Sequence, residues 1–360
     1  MFVGYPLLVF LNWDKQQMAF TLQEKLLSGQ VIVLDGATGT EIARLGGEMH
    51  SAAWCAVANK THPDMVRQIH EDYVQAGADV ITTNTFATCR HVLAGAGMAD
   101  ETVAINRRAV ELACEARDRV GISRPVAVAG SLSNTLAWQQ GTTIPDPRYI
   151  PSPAEEADNY REMADTLANA GADFLLLEMM LDVVHASRLM EAAVATGLPV
   201  WVGISCSQLT DGTLVGWDIN QEGRVRGPRQ RNPTAVGSGD HNIAWETPAL
   251  VDIIQALKSI GGEAFGIMHS TVATTSPGLA ALYENWSGPV MAYPETMIFD
   301  HDTHRARIKV AEPDFSSACR AWVESGVQII GGCCGTTIEH IRQMVDHLPT
   351  RVGPRTGVIN

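Results

Sequence analysis

From residue 31 the chain alternates short, nearly continuous apolar runs with longer stretches whose apolar residues recur at helical spacing. The runs are 31–35 (VIVLD), 80–84 (VITTN), 126–131 (VAVAGS), 174–178 (FLLLE), 200–205 (VWVGIS), 264–269 (AFGIMH), 289–294 (PVMAYP) and 328–333 (QIIGGC). Strands without polar alternation are those buried on both faces of a parallel sheet. Helical patterns lie between them, for example at 63–76, 101–119, 154–170, 184–196, 247–260, 313–325 and 338–347. Ser152-Pro153-Ala154-Glu155 supplies a capping serine, a proline at the first helical position and an acid at the third. Gly77 and Gly171 fall just past helix ends. Eight strands with helical crossovers predict an α/β fold, a single (β/α)8 TIM barrel over 30–350, with an arm or helix at 1–29 and a tail at 351–360. A doubly wound sheet would instead want Gly-x-Gly-x-x-Gly after an early strand, and Asp35-Gly36-Ala37-Thr38-Gly39-Thr40 is not that.

In such a barrel the chemistry sits at the C-terminal strand ends. Those ends read Asp35, Asn84, Ser131, Glu178, Ser205 with Cys206, His269, Tyr293 with Glu295, and Cys333 with Cys334. Two connections, 132–153 and 206–246, are long enough to form lids or substrate walls, or in the second case a tolerated insertion. The charge balance, 26 Lys plus Arg against 40 Asp plus Glu without a basic cluster, argues against nucleic acid. Seven scattered cysteines suit a reducing cytoplasm better than a disulfide framework. The greasy segment 1–17 lacks the basic start and cleavage site of a signal peptide and is too short to span a membrane. It reads as an over-long gene start, with translation from Met18, or as an arm covering the barrel base or a second subunit; homo-oligomerisation stays open.

The chemistry is most pointed at Gly331-Gly332-Cys333-Cys334-Gly335. Adjacent side chains on a regular strand point to opposite faces, so two neighbouring thiols could not reach one ion. The glycines let the backbone curl and turn both sulfurs to one side. Two thiolates are most of the protein ligands of a catalytic zinc site, which keeps one position open; the alternatives for Cys333 and Cys334 are a vicinal disulfide or plain burial.

With Leu34-Asp35-Gly36-Ala37-Thr38-Gly39-Thr40-Glu41, Ile81-Thr82-Thr83-Asn84-Thr85-Phe86, Gly130-Ser131-Leu132 and Leu175-Leu176-Leu177-Glu178, that phrase resembles the homocysteine S-methyltransferases. These include the betaine–homocysteine and S-methylmethionine–homocysteine enzymes and the homocysteine module of cobalamin-dependent methionine synthase. The resemblance runs in family order over roughly residues 30–345. It implies a zinc-dependent barrel that binds a thiol as a zinc thiolate and methylates its sulfur. It also implies that Asp35, Gly36 and Glu178 hold the amino-acid end of the thiol, with Glu178 facing the ammonium, and that Asn84 and Thr85 line the same pocket. Ser131 and Tyr293 are expected beside them. The bare-residue alternative for Asp35 and Glu178 is a structural carboxylate.

Two positions depart from the family. Its sixth strand ends Gly-hydrophobic-Asn-Cys, the cysteine completing three thiolates, whereas this chain has Gly266-Ile267-Met268-His269. Histidine is a competent ligand, so the expected Zn²⁺ set is His269, Cys333 and Cys334. The alternatives are a packing role for His269, leaving a two-ligand remnant, or substitution by Cys206. Two thiolates and a neutral imidazole leave a neutral centre where three thiolates leave an anionic one. A substrate thiolate bound there donates more charge to the metal and is a weaker nucleophile, and a bound water is more acidic. On strand seven Tyr-Pro-Asn becomes Tyr293-Pro294-Glu295, a carboxylate that asks for a further cationic group. The His-rich stretch at His301, Asp302 and His304 reads as a solvated loop or a second site. Trp54, Trp138, Trp217 and Trp245 fall in presumed active-face loops, where aromatic rings attract sulfonium or quaternary ammonium groups or simply pack. The expected reaction moves a methyl group from an onium donor such as S-methylmethionine or a betaine to a small-molecule thiol, homocysteine by resemblance. The alternatives are another thiol acceptor, demethylating or hydrolytic zinc chemistry, and a non-catalytic metal-binding relic.

Overall fold

The computed structural model describes residues 22–121, 124–140, 145–209, 211–216, 248–300, 305–308 and 310–355. Eight parallel strands make one sheet: β1 (Ile32–Val33), β2 (Val80–Thr82), β3 (Ala127–Ser133), β4 (Phe174–Met180), β5 (Val200–Ile204), β6 (Ala264–Thr271), β7 (Val290–Glu295) and β8 (Ile329–Ile330). Each pairs with its neighbour in sequence, and β8 pairs with β1. A parallel bridge between Leu34 and Val80 joins β1 to β2 and closes the ring. The expected barrel is therefore the observed one.

The helices are α1 (Thr38–Arg44), α2 (Pro63–Ala76), α3 (Arg90–Gly95), α4 (Thr102–Val120), α5 (Pro153–Ala170), α6 (Val184–Ala195), α7 (Leu250–Ile260), α8 (Val272–Asn285), α9 (Glu312–Glu324) and α10 (Ile338–His347), with a single turn at Ala58–Thr61. The capping box expected for α5 forms, Ser152 and Glu155 exchanging hydrogen bonds, and Gly171 ends that helix with φ +119°. Helix α8 has no clear apolar periodicity in its sequence. It starts in a Ser/Thr-rich segment and carries Pro277 in its first turns, and Thr271 caps it through the amide of Thr274 at 3.2 Å.

Two apolar layers result. The outer one lies between strands and helices, and the inner one fills the barrel with residues such as Phe174 and Trp201, whose ring centroids are 4.2 Å apart. A helical turn at 22–28 closes the base, where Leu22 and Leu26 pack against the inner layer. Its Lys25 reaches Asp79 at 2.6 Å. Two hairpins stand on the opposite, C-terminal face: Cys206–Gln208 with Leu214–Gly216, and Met297–Asp300 with Arg305–Ile308. The rest of the 206–246 connection, together with Trp217, Trp245, His301, Asp302 and His304, lies outside the described residues, as do residues 1–21.

Candidate metal centre and substrate cavity

Beyond Ile330 the chain leaves the sheet in a tight turn. A Cβ on Gly331 would lie 2.6 Å from that of Leu34, and one on Gly332 would lie 2.3 Å from Thr336 Cγ2. Their small size permits close approach to β1 and to the turn itself, and the left-handed torsion falls to Gly335 at φ +83°. The turn is fastened by Cys333 N donating to Pro294 O at 2.8 Å, Thr296 N to Cys334 O at 2.9 Å, and Thr336 Oγ1 to Cys333 O at 2.6 Å. Both sulfurs consequently face the same side as His269 on β6. Ligand atoms of His269, Cys333 and Cys334 all lie within 4.8 Å of one another. Cys333 Sγ is 3.4 Å from His269 Nδ1, near the ~3.6 Å expected for sulfur and nitrogen on one tetrahedral ion. These three groups fit a metal ion. Cys206 does not join them; it is buried beside Ser270 and α8.

The two thiols and the imidazole are electrostatically coupled. Cys334 is held well below the usual thiol range, first by the hydrogen bond from Cys333 and then, against its burial, by His269. The bond to Cys334 and burial push Cys333 up, so one proton stays on the pair. Burial disfavours the His269 imidazolium, but Cys334 and Glu295 outweigh it and lift the ring to about 9. Glu295 Oε2 lies 3.9 Å from His269 Nδ1.

The centre opens into a cavity of about 280 Å³, lined by Asp35, Glu178 and Glu295, by Trp54, Phe86 and Trp138, and by several methionines. No lysine or arginine is among its described lining residues. Glu178 accepts a very short hydrogen bond from Ser131 Oγ. Burial pushes its carboxyl up to about 7, Ser131 resisting the shift. Asp35 is committed to the barrel seam: Thr82 N donates to Oδ2 at 2.7 Å and Thr82 Oγ1 to Oδ1 at 2.8 Å. Burial still raises it to about 8, with Thr82 opposing and Glu178 adding like charge.

The other expected site residues separate into two shells. Gly36, Asn84 and Tyr293 line the cavity with the carboxylates. Asn84 is fully engaged, its Nδ2 donating to Cys55 O and Asn59 Oδ1 and its Oδ1 accepting from Cys55 Sγ, each at 3.0 Å, so it shapes the wall. Thr85 and Ser131 lie behind: Thr85 Oγ1 donates to Ser131 O at 2.7 Å, which steadies the strand that presents Ser131 to Glu178. Trp54 and Trp138 do face the cavity, and Trp54 meets Phe86 edge-on at 6.0 Å.

Some contributors carry no advance signal in the sequence. Trp54, Met179 and His269 have φ of +47°, +56° and +43°, and they are the non-glycine residues with positive φ among those described. All three line the cavity. In β4 and β6 the left-handed residue falls inside a register shift, between Leu177 and Met180 and between Met268 and Thr271. A non-glycine residue in this region costs of order 1 kcal/mol or more, and such strain clusters where side chains must be aimed. Met268 supports the arrangement, its sulfur accepting from Met179 N at 3.2 Å.

A barrel whose strand ends gather two thiols, an imidazole and buried carboxylates around one cavity defines a metal-site enzyme that handles a small polar molecule. The sequence model of one family, homocysteine S-methyltransferase, matches residues 32–348. The chain belongs to that family and is a methyltransferase acting on a thiol sulfur. It is 26% identical to a selenocysteine methyltransferase from Astragalus bisulcatus, over 91% of this chain and 95% of that one. It is 25% identical to homocysteine S-methyltransferase YbgG from Bacillus subtilis, over 90% and 96%. Its fold is similar to that of the homocysteine methyltransferase MmuM from Escherichia coli in its metallated form, with a TM-score of 0.63 at 23% identity, covering 90% of this chain and 98% of that one.

Proposed function

We propose that this chain is a zinc-dependent methyltransferase that moves a methyl group from a sulfonium or quaternary ammonium donor to the sulfur of homocysteine. The convergence of His269, Cys333 and Cys334 beside buried carboxylates carries the reading. His269, Cys333 and Cys334 would hold the ion, which lowers the pKa of a bound thiol and presents it as the thiolate nucleophile. The names of the relatives support a homocysteine or selenocysteine acceptor.

The protein's own groups supply binding and orientation. Glu178, aimed by Ser131, receives the acceptor's ammonium, while Asp35 and Gly36 close the end of the cavity near the β1–β2 seam. A lining with three carboxylates and, among the described residues, no lysine or arginine suits cationic ligands on both sides of the reaction. Trp54, Phe86 and Trp138 offer ring faces to an onium methyl group, and exclude water from it. With the donor held in line, positioning supplies much of the rate. None of the seven cysteines, all among the described residues, forms a disulfide, which fits a reducing compartment, the cytoplasm.

The His269 substitution favours a second acceptor. A neutral centre activates a thiol less, and a selenol, more acidic and more nucleophilic, needs less activation. The test is metal analysis together with methyl transfer followed by mass spectrometry, over a panel of onium donors with homocysteine and selenocysteine. About one zinc per chain, as a single catalytic site requires, and a methylated product are expected, both lost in Cys333→Ala. A chain that binds no zinc, or methylates none of these acceptors, refutes the reading.

A further inference from the structure

Behind the cavity wall at 134–138 lies a run of ionisable groups, Glu156 and Asp182 buried and His185 and Arg188 partly exposed, that methyl transfer does not itself use. Asn134, Thr135, Leu136 and Trp138 face the cavity. Asn134 Nδ2 donates to Asp182 Oδ2 at 2.8 Å, and the backbone amide of His185 donates to Asp182 Oδ1 at 2.7 Å. His185 Nδ1 donates to Glu156 Oε1 at 2.5 Å. Arg188 donates to Glu156 Oε2 at 2.5 Å, and the Tyr160 hydroxyl to Oε1 at 3.0 Å. A second tie comes from α3, where His91 Nε2 donates to Thr135 O at 3.1 Å and Asn159 Nδ2 donates to His91 Nδ1 at 3.4 Å.

The charges facing His185 are Glu156 from α5, Asp182 from the β4–α6 connection and Arg188 from α6, with the Tyr160 phenol and the His91 ring close by. Glu156 and Asp182 are 3% and 5% exposed. With His185 protonated, two cations balance two carboxylates. With His185 neutral, two buried carboxylates share one arginine, an arrangement that burial penalises. Burial alone would favour the neutral imidazole, yet Glu156 and Asp182 outweigh it and raise His185 above its ordinary 6.5. Burial pushes Asp182 up; the charge of His185, then the amides of His185 and Ala186, oppose the shift and Glu156 adds a little to it, so Asp182 loses its largest opposing charge once the imidazolium is gone. His91 is lowered to about 4 by burial and stays neutral throughout this change.

We propose that His185 is a positioning residue: as the imidazolium it holds Glu156 and Asp182 and, through Asp182, fixes Asn134 and the 134–138 wall against the methyl donor, so that donor binding weakens as His185 loses its proton. The donor is that of the function proposed above, and the device is a pH response built into the wall, separate from the metal ligands.

The test compares wild type, His185→Gln and His185→Lys from about pH 6 to about pH 9, the span of a raised histidine. Donor KM and kcat are measured alongside amide hydrogen exchange of residues 133–138. Relative to His185→Lys at the same pH, a ratio in which the titration of Glu178 and Asp35 cancels, wild-type donor KM should rise about fivefold or more across the range, the effect of losing roughly one charge-assisted hydrogen bond, with the kcat ratio nearly unchanged. Exchange of the wall should rise in step, relative to His185→Lys at the same pH. His185→Lys, a permanent cation here, sets the low-KM reference, and His185→Gln should stay above it by a constant factor across the range. If His185→Gln unfolds, Asn134→Ala must show the same high, pH-independent KM ratio to His185→Lys. Should His185→Gln or Asn134→Ala instead follow wild type in KM and exchange, or lose kcat and KM together, the proposal is overturned. Absence of methyl transfer in wild type counts against the proposed function, and the exchange data still judge the wall.

Discussion

His269 is the residue on which the proposed chemistry turns. Cysteine in its place would make the centre anionic, so a bound thiolate would keep more of its electron density. His269→Cys is therefore expected to retain zinc and to raise the methyl-transfer rate constant for homocysteine, measured in single turnovers; an unchanged or lower rate constant argues that the ligand charge is not limiting. Glu178 is the residue proposed for the other end of the substrate. Exchanging a buried carboxylate–ammonium contact for an amide costs about 1.5–3 kcal/mol, so Glu178→Gln should raise KM for homocysteine by ~10-fold or more, checked by initial rates at saturating donor. An analogue without the amino group should barely respond. Among the neighbours, Asp35 shows how one residue type carries two meanings. A carboxylate ending an apolar strand is legible as costly and in need of partners, but its actual partners, the amide and hydroxyl of Thr82, appear only when β1 and β2 meet.

The elements that carry these residues were legible to very different degrees. Long periodic helices such as α2 and α10 match their patterns end to end, because apolar spacing is set by the face they bury. Strands β1 and β8 are only two residues long, much shorter than their apolar runs, since the chain bends away to build the site as soon as the ladder is made. The bends at Met179 and His269 were illegible: neither residue type announces a left-handed torsion, and the register shifts that accommodate it arise from pairing between distant strands. The Gly331-Gly332 pair was legible as necessary, although the necessity is close packing. Gly332→Ala would drive a methyl into Thr336 and displace the turn that presents both cysteines. It should cost about 1–3 kcal/mol of stability and weaken zinc binding more than ~10-fold, as read by competition with a chelator. Wild-type zinc affinity in that variant would separate the turn from the metal site.

At the scale of the molecule the barrel hides several titratable groups far from the site. His70 on α2 is fully buried, and neither ring nitrogen has a hydrogen-bond partner. Burial lowers its pKa from 6.5 to about 4. Between those values the unfolded chain binds a proton that the folded one refuses, so stability is complete above about pH 6.5 and falls toward pH 4, by a few kcal/mol at most from this residue. Denaturation midpoints for His70→Leu should be less sensitive to acid over that window than those of wild type. A parallel pH dependence in the two proteins would assign acid sensitivity elsewhere, for instance to His91.

The central claim concerns what holds the metal. X-ray absorption at the zinc edge, on purified protein before and after homocysteine is added, tests it most directly. The account predicts two sulfurs at about 2.3 Å and an imidazole nitrogen at about 2.0–2.1 Å, with one further sulfur on adding the thiol. A first shell without imidazole, or without a new sulfur in the presence of homocysteine, would contradict it.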